Sequence, residues 1–321
     1  MEKRYDEVDL AIIEASGNLR ADANEGIFFA QELESVKART YDKVYADLTA
    51  QQVIPVDSTA GAGAETIAYY QYDRVGFAKI ISNYSTDLPR VDLRGKKFFA
   101  DVKSIGVSYG FSVQDIRASR MAGKPLEQRK ADAARRANDE TVNRIAYFGD
   151  EEHGIVGLID HPNISTYTLP ADGTGSSTKF SDKTPDQVIR DLNGMVAKIL
   201  ELTQNKEIPN TLLVGHTTHA YLFSTPRSST SDTTILDFFM AKNPYVKNIQ
   251  IVPEFVGAGT GGKDICMIYN KSPEKLTLEL PQLFEQFPVQ TKGLEYEVPC
   301  HSRCAGVLVY YPLSIMKAEG C

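Results

Sequence analysis

Two long extended segments set the problem that this chain has to solve. Glu65 to Ile81 reads ETIAYYQYDRVGFAKII, and Asp92 to Phe111 reads DLRGKKFFADVKSIGVSYGF. Aromatic and β-branched residues dominate their apolar content, which favours strands. The connection, SNYSTDLPRV, is polar and contains Pro89. Together they predict a hairpin whose arms run roughly 50 Å at about 3.3 Å per residue. Arg74, Lys79, Arg94, Lys96, Lys97, Asp101 and Lys103 interrupt both faces, so neither face is a clean core surface. A lone two-stranded ribbon is marginal in water. The ribbon needs something to lie on: a mixed sheet of its own chain, or another subunit.

The rest of the chain bounds the choice. Its 321 residues suggest about two domains at roughly 150 residues each. A hydrophobic fraction of 42% and a charged fraction of 24% argue against a largely disordered chain. The longest membrane-span candidate, Ala305 to Met316, falls short of about 18 apolar residues and is broken by Pro312. The acidic N-terminal stretch has no apolar core of a secretory signal. Four cysteines make no disulfide framework, so a reducing cytosol is the expected compartment. The net charge of −7 is uneven: −6 over residues 1–64, +5 over 65–149 and −6 over 150–321. That middle is far from the dense basic stripe of a sequence-specific DNA reader.

Periodicity predicts a helix from about Glu25 to Leu48, with Phe28, Phe29, Leu33, Val36, Tyr41 and Val44 near helical spacing. Val56 to Gly63 is small and flexible and reads as a linker. After the hairpin, a helical stretch runs from Val113 to Phe148 with a break at Gly123-Lys124-Pro125. Its second half is highly polar, with a thin apolar stripe of Leu126, Ala133, Ala137, Ile145 and Phe148. Arg136–Glu140 and Glu140–Arg144 are opposite charges four apart. A solvated helix face is one reading; a face against a partner chain is the other. Thr184 then starts a helix to about Thr203, and Thr211–Val214 is a short buried strand. Helices near 217–224 and 232–242 and strands near 248–253, 264–270, 275–280, 293–299 and 304–311 complete an α+β pattern.

Several motifs suggest chemistry and then fall short. Gly257-Ala-Gly-Thr-Gly-Gly-Lys263-Asp264 fits the GxxxxGK phosphate loop. Asp264 stands where a Mg²⁺-binding hydroxyl is needed, and strand-like ICMIYN follows where a helix should open. Strand, glycines, strand predicts a hairpin turn. Cys300-His301-Ser302-Arg303-Cys304 holds two thiols about 13 Å apart if extended, too far to share a zinc or to pair. A bent turn would relax that objection, with Cys266 or Cys321 completing a set. Cys321 is expected to be mobile and open to adventitious intersubunit disulfides. His216 and His219 lack a third ligand, and His153 and His161 sit alone in glycine- and proline-rich loops. No motif singles out a catalytic or metal-binding residue, and no cofactor is expected.

The order of parts is N-terminal helix, long polar hairpin, long polar helix, then a compact α/β region ending in strands. That order, with FFAQELESVKARTYD, YYQYDRVGFAKIISNYSTDLPRVD, GKPLEQRKADAARRANDETVNRIAYFGD and FEQFPVQTKGLEYEVPCHSRCAGVLVYYPLS, resembles the major capsid proteins of tailed bacteriophages and prophages. The closing LVYYPLSIMKAEG is similar to the family's final strand and tail. This is the Hong Kong 97 fold, shared with encapsulin shells.

The resemblance implies an α+β chain with an N-terminal arm over 1–64 and an E-loop hairpin over 65–112. It places a peripheral domain with the spine helix over 113–183, an axial domain over 184–274, and returning strands with a tail over 275–321. It implies a non-enzymatic shell protein that assembles through pentamers and hexamers around double-stranded DNA, which it meets by non-specific proximity. The shell would form in a bacterial cytoplasm, become part of the virion, and involve no membrane. About 24 residues precede the first helix, so a separate scaffolding protein and a portal are the expected partners. Intersubunit contacts are expected at Arg74, Lys79, Arg90, Arg94, Lys96, Lys97, Arg136, Glu140 and Arg144. Gly257, Gly259, Gly261 and Gly262 would form an axial-domain loop near the capsomer axis. The alternatives are an encapsulin-type compartment or, in another class, a phosphate- or metal-binding enzyme using Lys263 or the Cys300–Cys304 region.

Overall fold

The computed structural model describes residues 46–80, 90–122, 126–228, 230 and 232–321. The chain divides into two units, Met1–Asp47 and Leu48–Cys321, and every element below belongs to the second. The expected helix over Glu25–Leu48 lies outside the described residues except at its end. There, residues 46–48 are non-helical, and a short helix follows only at Ala50–Val53. In chain order the strands are β1 (Val56–Asp57), β2 (Thr66–Val75), β3 (Asp92–Asp101), β4 (Lys103–Ser112) and β5 (Ser165–Tyr167). Then come β6 (Thr211–Val214), β7 (Asn248–Ile251), β8 (Ile265–Tyr269), β9 (Leu276–Glu279) and β10 (Gln282–Gln286). Last are β11 (Gln290–Lys292), β12 (Glu295–Cys304), β13 (Gly306–Val309) and β14 (Ile315–Glu319).

The centre is a five-stranded mixed sheet in the order β5-β14-β8-β6-β7. Its inner strands, TLLV and ICMIY, are buried at every position. A strand's side chains alternate between faces, so a sheet of such strands must be covered on both sides. Leu212, Val214, Cys266, Ile268, Met316 and Ala318 enter one apolar cluster, while Leu213, Ile265, Met267, Tyr269 and Ile315 enter another. The first cluster is closed by the helix Pro185–Thr203, whose Val188, Leu192, Met195, Val196 and Ile199 are buried as their spacing predicts. Pro185 suits the first turn, and Thr184 N donates to Gln187 Oε1 at 2.8 Å. The second cluster takes in Val142, Ile145, Ala146 and Tyr147 from the long helix Leu126–Phe148, together with strands β9 and β13.

Three sequence expectations change in the structure. Val56–Asp57 is not linker: β1 pairs parallel with β9. The run 92–112 is not one hairpin arm. β3 pairs with β2, the chain breaks at buried Val102, and β4 pairs instead with β12 over ten residues, Lys103 opposite Cys304 to Ser112 opposite Glu295. Each arm is therefore ten residues, roughly 33 Å. The expected gap between strands at 293–299 and 304–311 is also absent, because β12 runs unbroken through CHSRC. Its other edge carries β10 and β11. The helices Val113–Ala122 and Leu126–Phe148 fall on either side of the expected break. Among the described residues no helix is long and apolar enough to cross a membrane.

A buried ion cluster fastens the loop before Pro185–Thr203. Lys183 and Asp191 are both buried, with Nζ 2.5 Å from Oδ2. Asp172 reaches Lys183 at 3.5 Å and Arg190 at 2.7 Å, and Arg190 Nη2 lies 2.6 Å from Asp191 Oδ1. The Arg190 guanidinium holds the Asp172 carboxyl below its usual range. Removing one partner strands the other's charge away from water. Asp191→Ala is expected to cost about 3–5 kcal/mol in urea unfolding, because Lys183 stays buried. Arg190→Ala, at a half-exposed position, is expected to cost under about 1 kcal/mol. Equal losses for the two variants would show that burial is not what makes the cluster matter.

Candidate functional site

Among the described residues, the hairpin β2–β3 is held at its root. Directly opposed residues share a face, and the register places Tyr69 opposite Phe98 and Ile67 opposite Ala100. These four are half-buried, whereas the rest of both strands is exposed. Tyr69 stacks on Phe98 at 5.1 Å and meets the Tyr310 ring edge-on at 4.8 Å. Val102 N donates to Glu65 O at 2.8 Å and closes the root.

Beyond the root the two faces differ. One carries Gln71, Asp73, Arg94 and Lys96, with Lys96 Nζ 4.7 Å from the Phe98 ring centroid. The other carries Ala68, Tyr70, Tyr72, Leu93 and Phe99 with Lys97 and Arg74. Tyr70, Tyr72, Leu93 and Phe99 are each more than 60% exposed, an apolar stripe left uncovered among the described residues. Gly95 lies opposite Tyr72, and a Cβ there would come within 3.0 Å of the Tyr72 ring. The glycine thus lets that ring lie across the ribbon. The stripe was readable as Tyr70 and Tyr72 at strand spacing, but the charges between hid it. Of the residues predicted from sequence, Arg74, Arg94, Lys96 and Lys97 are on the strands. Lys79 and Arg90 lie just beyond them, and all six are exposed.

Arg136, Glu140 and Arg144 sit four residues apart along the long helix. Arg136 Nε lies 2.8 Å from Glu140 Oε1, and Glu140 and Arg144 are exposed. The predicted apolar stripe of this helix is corrected. Ala133, Ala137 and Phe148 are exposed, while Ala134, Asn138, Val142, Asn143, Ile145, Ala146 and Tyr147 are buried. Hydropathy could not find this face because it includes two asparagines whose partners come from distant strands and loops. Asn138 Oδ1 accepts from Ser302 Oγ at 2.5 Å, and Asn143 accepts from Ala50 N at 3.0 Å while donating to Glu254.

The glycine loop cradles no phosphate. Gly261 and Gly262 have φ of +74° and +75°, which tightens the turn. Several of its N–H groups are already used: Gly257 N donates to Asp264 Oδ1 (2.8 Å), Gly259 N to Lys263 O (2.7 Å) and Thr260 N to Glu319 Oε2 (3.1 Å). Two carboxylates occupy the place of an anion. The expected hairpin is corrected as well, because β6 lies between β7 and β8. Cys300, Ser302 and Cys304 share a buried face of extended β12. Burial pushes the Cys304 thiol up to about 11. Cys321, expected to be mobile and exposed to other copies, is instead buried, with its sulfur beside Cys266. Among the described residues no cluster of His, Cys, Asp or Glu is arranged to hold a metal ion.

Comparison with known proteins follows the same outline. A family model described as major capsid protein matches residues 76–321. The capsid of Myoviridae phage XM1 superposes with a TM-score of 0.79 at 16% identity, over 92% of this chain and 99% of that one. The capsid of an empty GTA particle gives 0.63 at 10% identity, over 90% and 96%. The virus-like particle of Pyrococcus furiosus gives 0.50 at 12% identity, over 84% and 91%. These likenesses are of fold. No curated protein sequence matches the chain.

Beneath the hairpin root lies a buried carboxyl. Glu279 Oε1 accepts from Thr277 Oγ1 at 2.7 Å and from Tyr310 OH at 3.2 Å, and Asp57 is its register partner on β1. Burial, then the nearby Asp57 charge, raise the Glu279 carboxyl above its usual range. Burial also pushes the Tyr310 phenol up to about 12. A carboxyl raised in the folded state costs stability once it ionises, and that cost vanishes below its unfolded pKa. Glu279→Gln is therefore expected to raise the melting temperature at pH 7–8, with the gain shrinking toward about pH 4. A gain that grew on acidification would contradict the buried-acid assignment.

Proposed function

The chain belongs to the major capsid protein family, a structural family, and from that premise we propose that its copies close into an icosahedral shell through pentamers and hexamers around phage DNA. The observation that carries this reading is the ribbon β2–β3, anchored at its root and bearing an uncovered stripe of Tyr70, Tyr72, Leu93 and Phe99. A two-stranded ribbon does not hold such a stripe in water for its own sake. Laid across a neighbouring copy, it makes a contact between two different surfaces, the heterologous kind that generates rings. Arg74 and Lys97 flank the stripe on its own face, Arg94 and Lys96 add positive charge on the other, Lys79 and Arg90 lie beyond the strands, and the −6 portion over 150–321 offers the complement. Arg136, Glu140 and Arg144 extend that contact along the long helix.

The glycine loop 257–262 belongs near the capsomer axis in this reading. A separate scaffolding protein and a portal complete assembly. DNA is enclosed by proximity, in keeping with a net charge of −7 and no dense basic stripe.

Replacing Tyr70, Tyr72 and Phe99 together by serine tests the ribbon. The melting temperature of the subunit is expected to stay within about 2 °C, since these side chains leave no cavity. Electron microscopy is expected to show closed particles for the parent and only free subunits or small rings for the variant. Undiminished particle yield would remove the ribbon from the assembly contact. Raising salt from about 0.1 to about 1 M, which shortens the Debye length from roughly 10 to 3 Å, is expected to slow particle formation. Salt-independent assembly would assign the contact to apolar burial alone.

A further inference from the structure

We propose that Cys266 and Cys321 are a latent intrachain disulfide that joins the end of β14 to β8 when the protein meets an oxidising medium. The two sulfurs lie 2.7 Å apart, closer than non-bonded sulfur atoms sit, and both residues are buried. The backbone holds them there. Cys266 is the register partner of Ala318, three residues before Cys321. Gly320, at φ +89°, turns the chain back toward β8. Gly320 N and Cys321 N both donate to Asp264 O, at 2.8 and 3.3 Å. Bridgeable thiols need neighbouring backbones and converging side chains, and this arrangement supplies both. Cys300 and Cys304, four residues apart on one extended strand, lie roughly 13 Å apart and form the internal control.

A cavity of about 210 Å³ borders Cys321, lined in part by Lys179, Thr217, Tyr221 and Lys263. Burial pushes the Cys321 thiol well up, which makes its thiolate scarce and oxidation slow, while an excess of reductant keeps the pair reduced. The oxidant is a low-molecular-weight disulfide of the glutathione class, whose carboxylates suit the two lysines at the cavity. One cysteine thiolate attacks it, forming a mixed disulfide and releasing one small thiol. The second cysteine then displaces the other. Two protein S–H bonds are lost, one S–S bond forms, and the small disulfide leaves reduced as two thiols. The bond closes a loop holding β9 to β14, and so ties down β12, on which β4 and the hairpin root depend.

The full chain is incubated with oxidised glutathione, quenched, denatured and alkylated. The expected product is about 2 Da lighter than the reduced chain before alkylation, with one peptide joining Cys266 to Cys321 and with Cys300 and Cys304 alkylated. The melting temperature is expected to rise by roughly 5–10 °C and to return with reductant. Cys321→Ser and Cys266→Ala are each expected to abolish both changes. Should Cys266→Ala not fold, Cys321→Ser carries the control. Four alkylated cysteines after oxidation, a lasting glutathione adduct, or a ladder of intersubunit disulfides lost in Cys321→Ser would each overturn the proposal.

Discussion

A sheet buried on both faces has no side to turn to water. That constraint organises the molecule. β6 and β8 send alternate side chains into two separate apolar clusters, so each face demands its own layer. Pro185–Thr203 supplies one. The long helix with the β9 and β13 strands supplies the other. Once both are in place the apolar side chains of the inner strands are fully used. Among the described residues the ribbon β2–β3 is left outside, meeting the body at its root, where Tyr69 packs edge-on against Tyr310.

The division between a self-sufficient body and an unsatisfied arm suits a shell protein. The body keeps the subunit folded before assembly. The arm carries an aromatic stripe that is exposed on the subunit. A closed ring needs two different surfaces in contact, and a projecting ribbon reaches beyond the subunit that carries it. Its attachment is nonetheless specific. Val102 enters the core and splits the run 92–112 between two sheets, so the hairpin root and strand β4 are parts of one continuous extended segment.

The polar long helix shows where reading a sequence reaches its limit. Its existence and its break were legible from spacing and from Pro125. Its buried face was not, because Asn138 and Asn143 look like solvent residues until Ser302, Ala50 and Glu254 arrive from elsewhere in the chain. The ion cluster of Lys183, Asp172, Arg190 and Asp191 is similar. Each member reads as surface charge, and only the fold withdraws Lys183 and Asp191 from water.

The sequence by itself determined what local chemistry can determine. It settled the amphipathic helix at 185–203 and the short strands at 211–214 and 265–269, but it left CHSRC open between an extended run and a bent turn. It also showed a ribbon with charges on both faces, without deciding whether it lies on a sheet of its own chain or on another subunit, and it carried the family resemblance through the order of those parts. Periodicity reports what each element wants to bury, and these elements state that want plainly. Only the tertiary structure decided which strands became neighbours. It put β4 on β12 rather than on β2, set β6 between β7 and β8, and laid Cys321 against Cys266. Those choices depend on pairings across tens to hundreds of residues, where register is fixed by packing against a shared core and no local signal records the partner.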